Sequence, residues 1–353
     1  MVAAGVSPAE ERTACGDAGR YDAGPYFWKV EALNTLVVAE MQAGRLRGTS
    51  LSAVRFAQEV AEKTGGQWSA VVIGQQNVSE AAERLASFGP ARLYTVAGAG
   101  FAHYLAGPYA AVVAEVVRQC GFQVVAAAAT TTGRDLMPRL SGRLGAGMVT
   151  GVSAWQLKDG VISYKRKVFS GGVLATVTLS TPIHVLTIDA TEFGDPHPGP
   201  KAEIVAFDPG DLGPSYRARF VELQAQPTTR PDLTEAEVVV GFGRGVKDPA
   251  NIANVEKLAD LLSAAVGGTR AVVDAGWMPN DLQIGQTGKQ IAPKLYFALG
   301  LSGSIQHVAG IRGAKKIVAI NKDAEAPIFE VADIGLVADM QVAVPEIVKM
   351  LGE

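Results

Sequence analysis

Short apolar runs alternate with amphipathic segments along most of this chain, and that alternation limits the fold more than any other feature. LNTLVVAE reads as a strand. TSLSAVRFAQEVAEKTG follows as an amphipathic helix, with Thr49 or Ser50 placed to cap its start and Gly65 just past its end. SAVVIG and SEAAERLASFG repeat the unit, as do RLYTVAG with PYAAVVAEVVRQCG, and VVAAAAT with the segment around DLMPRLSGRLG. Strands alternating with helices of about 10–15 residues predict βαβ units and a mostly parallel sheet.

The pattern changes near Gly151. KDGVISYKRKVFSGGVLATVTLS carries two β-rich runs around SGG, a hairpin signal. HVLTID is a further strand, and DPHPGPKAEIVAFDPGDLGPSYRARF is rich in Pro and Gly. QPTTRPDL (226–233) has two prolines among polar residues and is the candidate linker. From Glu235 the alternation resumes. EVVVGFGRGV is strand then turn, ANIANVEKLADLLSAAVGG a helix, and TRAVVDAG a strand or strand end. KLYFALGLSGS runs from strand to turn, SIQHVAG is a helix, KKIVAIN and DIGLVAD are strands, and VPEIVKML is the closing helix. The expected organisation is an extension over 1–34, an N-terminal, mostly parallel α/β domain with an added β-hairpin over 35–230, and a C-terminal, doubly wound parallel-sheet domain over 235–353.

Of the 353 residues 48% are hydrophobic and 19% charged, enough to bury a sizeable core. A net charge of −3 supplies no basic field for nucleic acid. His103, His184, His197 and His307 lack the close spacing of a zinc site. Cys15 and Cys120 stand far apart; two cysteines can form a disulfide, but with no scaffold or CxxC spacing they read as reduced, cytosol-type thiols. No apolar run approaches the roughly 18 residues of a membrane helix. Residues 1–34 are too acidic for a transit peptide, which favours the cytoplasm of a prokaryote over a mitochondrial matrix.

In open α/β sheets, ligands bind beyond the carboxyl ends of the strands. Helix starts there offer free N–H groups to phosphates. The C-terminal half has Gly-rich turns at such points: Gly241–Gly245, Gly267–Arg270, Gly285–Gly288 and Gly300–Ser304. Several turns on one sheet edge point to a long, phosphorylated ligand. GFGRG is not the G-x-G-x-x-G dinucleotide fingerprint, GLSGS is not a nucleophile elbow, and GQTGK is not a complete phosphate-binding loop. Ser302 therefore reads as a helix cap with a phosphate contact, and Thr287 as a hydroxyl donor on a tight loop. Arg244 and Arg270 flank glycine turns and carry a fork of donors suited to phosphate. Gln306 and His307 fall in the first turns of a helix beginning near Gly303. Asn321 and Asp339, at strand ends, suit a ribose or adenine edge, and equally an ordinary cap.

DAGWMPNDLQIGQTGKQIAPKLYFALGLSGSIQH followed by VAINKDAEAPIFEVADIGLVAD resembles the FAD domain of the electron-transfer flavoprotein alpha subunit family. The GQTGK, SGxIQH and INKDxxAPIF strings occur in order, and the likeness covers about 120 residues from roughly Glu235. The first half is similar more loosely, through its VVAE opening and its βα-then-hairpin layout. Thr269 stands where Ser is usual, Trp277 where Tyr or Phe is frequent, and the N-terminal extension is unusual.

The resemblance implies a heterodimer with a beta subunit, and FAD held in extended form. It puts Arg244, Thr269 and Arg270 on the phosphate and flavin side. Gly285, Gln286 and Thr287 would approach the ring, with the Thr287 hydroxyl toward N5. Ser302, Gly303, Ser304, Ile305, Gln306 and His307 would run along the pyrophosphate, ribityl chain and ring, and Asn321, Asp339 and Met340 would hold the adenosine end. The implied role is an electron carrier with no catalytic residue of its own, working between acyl-CoA dehydrogenase-type donors and a downstream acceptor. Arg270, Thr287 and a protonated His307 would tune the potential. An electron-bifurcating variant, with a second FAD in the beta subunit, is the alternative within the class. A non-redox nucleotide sensor or scaffold is the alternative outside it.

Overall fold

The computed structural model describes residues 32–42, 44–210, 218–222 and 230–352. Most of the expected extension and residues 226–229 of the expected linker lie outside them. Two units emerge: residues Met1–Lys167 with Leu174–Glu222, and Val168–Val173 with Leu223–Glu353.

The first unit opens with β1 (Thr35–Ala39), a small hairpin of β2 (Met41–Gln42) and β3 (Arg45–Leu46), and α1 (Ser50–Thr64). It continues through β4 (Trp68–Gly74), α2 (Val78–Ala86), β5 (Leu93–Ala97), α3 (Ala106–Cys120), β6 (Val124–Ala128) and α4 (Thr131–Leu144). Then come β7 (Gly147–Lys158), β8 (Val161–Val168), β9 (Val173–Thr178), β10 (His184–Ile188) and β11 (Ile204–Ala206). The strands form one sheet in the order β11-β5-β4-β1-β6-β10-β7-β8-β9. Its central strands are parallel and every residue of β1, β4, β6 and β10 is buried, as expected of a sheet covered on both faces. Alternate residues serve opposite cores: Val37 packs with Phe56 and Leu186, Leu36 with Val113 and Val185.

The two runs around SGG form β8 and β9, neighbours in the sheet as the hairpin signal predicts, and a second, antiparallel hairpin, β7–β8, closes at Asp159-Gly160. Both turn residues have positive φ, 53° and 77°, which the Asp-Gly pair tolerates and the strand twist favours. Cys120 ends α3, and Cys15 lies outside the described residues.

The second unit comprises β12 (Val238–Phe242), α5 (Ile252–Leu261), β13 (Ala265–Gly268), α6 (Arg270–Asp274), β14 (Leu295–Leu299), α7 (Ile305–Ile311), β15 (Ile317–Asn321), β16 (Ile334–Val337) and α8 (Met340–Gly352). All pairings are parallel, in the order β13-β12-β14-β15-β16. TRAVVDAG is therefore not a strand. The strand is AVGG just before it, and Arg270–Asp274 is a short helix. An apolar triplet cannot distinguish the two, and the paired glycines of β13 hide its alternation.

The chain leaves β12 for β13 on one side, then crosses back through residues 275–294 to β14 on the other. The order of strands thus reverses between β12 and β14. The connections that follow the two strands leave to opposite sides there, the place where sheets of this kind carry a ligand crevice.

Candidate functional site

The crevice is a cleft of about 880 Å³, toward the upper end of the roughly 300–1,000 Å³ of ligand pockets. Each strand of the sheet delivers its following turn to it. β12 contributes Arg244, β13 Thr269 and Arg270, β14 Ser302 to Ser304, β15 Asn321, and β16 Asp339 and Met340. The crossover adds Gly285, Gln286 and Thr287, and α7 adds Gln306 and His307. Of the residues singled out from sequence, Ile305 alone is not on the wall; it is 70% exposed. Arg244, Lys247, Arg270 and Lys322 face Asp274, Asp323 and Asp339 around the cleft, so its rim carries more cations than carboxylates.

Sequence reasoning missed Lys247, Asp274, Gln283 and Lys322. Lys247 had a visible signal, two residues past GRG. It bonds Asp339 at 2.6 Å across the rim. Its backbone has φ 67° and ψ −41°, and Asp248 N–H bonds the Val246 carbonyl at 2.8 Å around it. Such a turn is rare and strained for a residue with a side chain. Gln283 and Asp274 sit in or beside the irregular crossover, where no periodicity marks them.

Ser302 does not cap α7. That position belongs to Ser304, and Gly303 turns the chain between them with φ 81°. Asn321 works structurally, donating to the Leu301 carbonyl at 2.9 Å and accepting from Asp323 N–H at 3.0 Å. Asp339 accepts from Gln341 N–H at 3.0 Å and so opens α8. Lys289 of GQTGK is not among the lining residues. It pairs with Asp232 at 3.2 Å. Burial alone would raise the Asp232 carboxyl, but Thr234 and Lys289 hold it below the usual range.

His307 is buried at the back of the cleft, and Tyr296 determines its pose. The phenol oxygen lies 2.9 Å from His307 Nε2. It reaches there only because Gly241 has no side chain: a Cβ on Gly241 would meet the Tyr296 oxygen at 1.8 Å. Gly241 thus makes room for a partner of His307 rather than for a ligand.

Burial holds the His307 imidazole well below its ordinary range, at about 4, while the nearby Ile284 carbonyl pulls upward. The cationic His307 expected from sequence is therefore corrected to a neutral ring, because charging it there sacrifices hydration without a carboxylate in return. His184 in the first unit, 2.8 Å from the buried Tyr164 hydroxyl, is held at about 4 by the same cause.

Both rings bind protons more readily in the unfolded chain than in the folded one. Their neutral forms contribute fully above about pH 6.5, and stability is lost as pH falls toward 4, by roughly 3 kcal/mol per ring at the limit. In an NMR titration of the imidazole C–H signals, His184 and His307 stay neutral down to about pH 5. Midpoints near 6.5 for both would contradict the burial argument.

The wall fits an anionic, aromatic dinucleotide. It combines guanidinium and ammonium groups with backbone from glycine turns, and His307 Nδ1 is a buried ring nitrogen with no partner in bonding geometry among the described residues. Among the described residues no cluster of metal ligands occurs, and no helix is long and apolar enough to cross a membrane.

Residues 35–212 match the electron transfer flavoprotein domain, and residues 232–312 the electron transfer flavoprotein FAD-binding domain. The chain is 40% identical over 329 residues to the mitochondrial electron transfer flavoprotein subunit alpha of Oryza sativa, covering 90% of each. It is 40% identical over 317 residues to the subunit alpha of Pseudomonas aeruginosa, covering 89% of this chain and 98% of that one. A probable mitochondrial subunit alpha of Caenorhabditis elegans is 38% identical over 319 residues. With a flavodoxin-like strand order whose switch-point cleft suits a dinucleotide, and with both domain matches in sequence order, the chain belongs to the electron transfer flavoprotein alpha-subunit family and is an FAD-binding electron carrier.

Proposed function

We propose that this chain works as one half of a heterodimer with a beta subunit, takes electrons from dehydrogenases of the acyl-CoA type, and holds its FAD in the switch-point cleft. The observation that carries the site assignment is convergence. Five strand ends, the crossover loop and α7 bring Arg244, Arg270, Thr287, Gln306, His307 and Asp339 to one wall, although they are spread over almost a hundred residues of chain. Arg244 and Arg270 supply forked donors for the phosphates and the reduced ring. Ser302, Gly303 and Ser304 supply backbone and hydroxyl contacts, and Asn321, Asp339 and Met340 form the far end. The neutral His307 acts as a hydrogen-bonding group held by Tyr296.

Bound FAD supplies reversible electron transfer. The protein side binds it, excludes water and sets the local charge. Co-expression with the neighbouring beta-type polypeptide, followed by an absorption spectrum and a flavin count, tests the proposal. A yellow complex is expected, whose FAD is lost on charge reversal at Arg244 (Arg244→Glu). A colourless complex sinks the assignment, and two flavins per pair identify the bifurcating variant. Reduction of the bound flavin by an acyl-CoA dehydrogenase with its substrate tests the donor class.

A further inference from the structure

Gln283 combines two properties seldom found together. It is only 5% exposed, and it lines the cleft. A buried amide is retained where it makes specific hydrogen bonds. The Gln283 amide nitrogen donates to Thr287 Oγ1 at 2.9 Å. Its backbone closes the same loop: its carbonyl accepts from Lys289 N–H at 2.8 Å, and its N–H donates to the Asn280 carbonyl at 3.1 Å. The side chain therefore braces Thr287 from inside a loop whose ends its main chain already ties.

A hydroxyl has one proton and two lone pairs. With an amide N–H directed at its oxygen, Thr287 acts as the acceptor in that bond and its own proton stays uncommitted. Thr287 donates to no protein group among the described residues, and it faces the cleft.

We propose that Gln283 is a positioning residue that makes Thr287 a hydrogen-bond donor toward the ligand, so that the ligand atom opposite is an acceptor. This rests on the FAD reading above. An acceptor atom that gains electron density on reduction is held more strongly by a fixed donor. Gln283 thereby raises the reduction potential of the bound cofactor, and does so only through Thr287.

A double-mutant cycle on the purified alpha–beta pair tests this, with flavin content and the reduction potential of bound FAD as readouts. Gln283→Leu and Thr287→Val are each expected to keep FAD and to lower the preference for reduced over oxidised cofactor about three- to tenfold, the weight of one hydrogen bond. The double variant is expected to lose no more than Thr287→Val alone. If Gln283→Leu fails to fold, Gln283→Met, which keeps the length and removes the donor, takes its place. Stoichiometric FAD at the wild-type potential in the Gln283 variant overturns the inference, as does simple addition of the two losses. A wild-type pair without flavin sinks the FAD reading and this inference together; flavin bound at an unchanged potential in the Gln283 variant sinks this inference alone.

Discussion

Arg270→Ala lowers the reduction potential of the bound flavin, and Asp274→Asn raises it. Arg270 begins α6 at the cleft wall, and its side chain is 69% exposed. Among the described residues its one ion pair is with Asp274 one helical turn on, at 3.4 Å. A unit cation about 4 Å from the site of added negative charge contributes from ~1 kcal/mol in water to ~4 kcal/mol at an effective dielectric near 20. For one electron that is roughly 40 to 170 mV, and the exposure of Arg270 favours the lower part of the span. Since His307 is neutral, Arg270 has no buried cation to share the task. Asp274 offsets part of its charge, so removing that carboxylate works in the opposite direction. Spectroelectrochemical titration of both variants checks the pair of signs; equal potentials in both would eliminate Arg270 as a tuning group.

Gly303→Ala is the most damaging small substitution expected at the cleft. Gly303 sits at φ 81°, and a Cβ there would lie 2.3 Å from the backbone nitrogen of Ile328 and 2.5 Å from its Cα. That nitrogen is not free to retreat, since it donates to the Ser302 carbonyl at 3.1 Å. The left-handed conformation alone costs about 1–2 kcal/mol in a residue with a side chain. The clash brings the expected loss to ~3–5 kcal/mol, in the range of overpacked or strained buried sites. Gly276→Ala is the control: φ is 72° there, but nothing lies within 4 Å of the added atom, so only the conformational part is lost. Urea unfolding of the two variants, with FAD retention as a second readout, separates them. Equal losses would mean that the turn at Gly303 can move aside.

Much of this was legible from residues alone. The parallel α/β class follows from apolar runs too short for helices set between segments of helical period. The glycine turns at 241–245, 267–270, 285–288 and 300–304 announced a ligand edge because they follow apolar runs. What failed was local or electrostatic. AVGG and TRAVVDAG exchange roles because a five-residue helix and a short strand carry the same apolar triplet. Ser302 gave way to Ser304 because one left-handed glycine delays the helix by two residues. A charged His307 is the expectation because a histidine beside an anionic ligand invites it, and nothing in the linear order reveals that Tyr296 and the sheet bury its ring.

The order of residues by itself determined a doubly wound chain with ligand turns at its strand ends, since apolar period and glycine placement are properties of neighbours along the backbone. Which turns meet, and in what charge state, was decided by tertiary structure alone. The reversal of strand order between β12 and β14 opens the cleft, Gly241 admits the Tyr296 hydroxyl to His307, and burial sets the proton on that ring. Each depends on groups distant in sequence and on their removal from water, and dielectric environment exists only once the chain has folded.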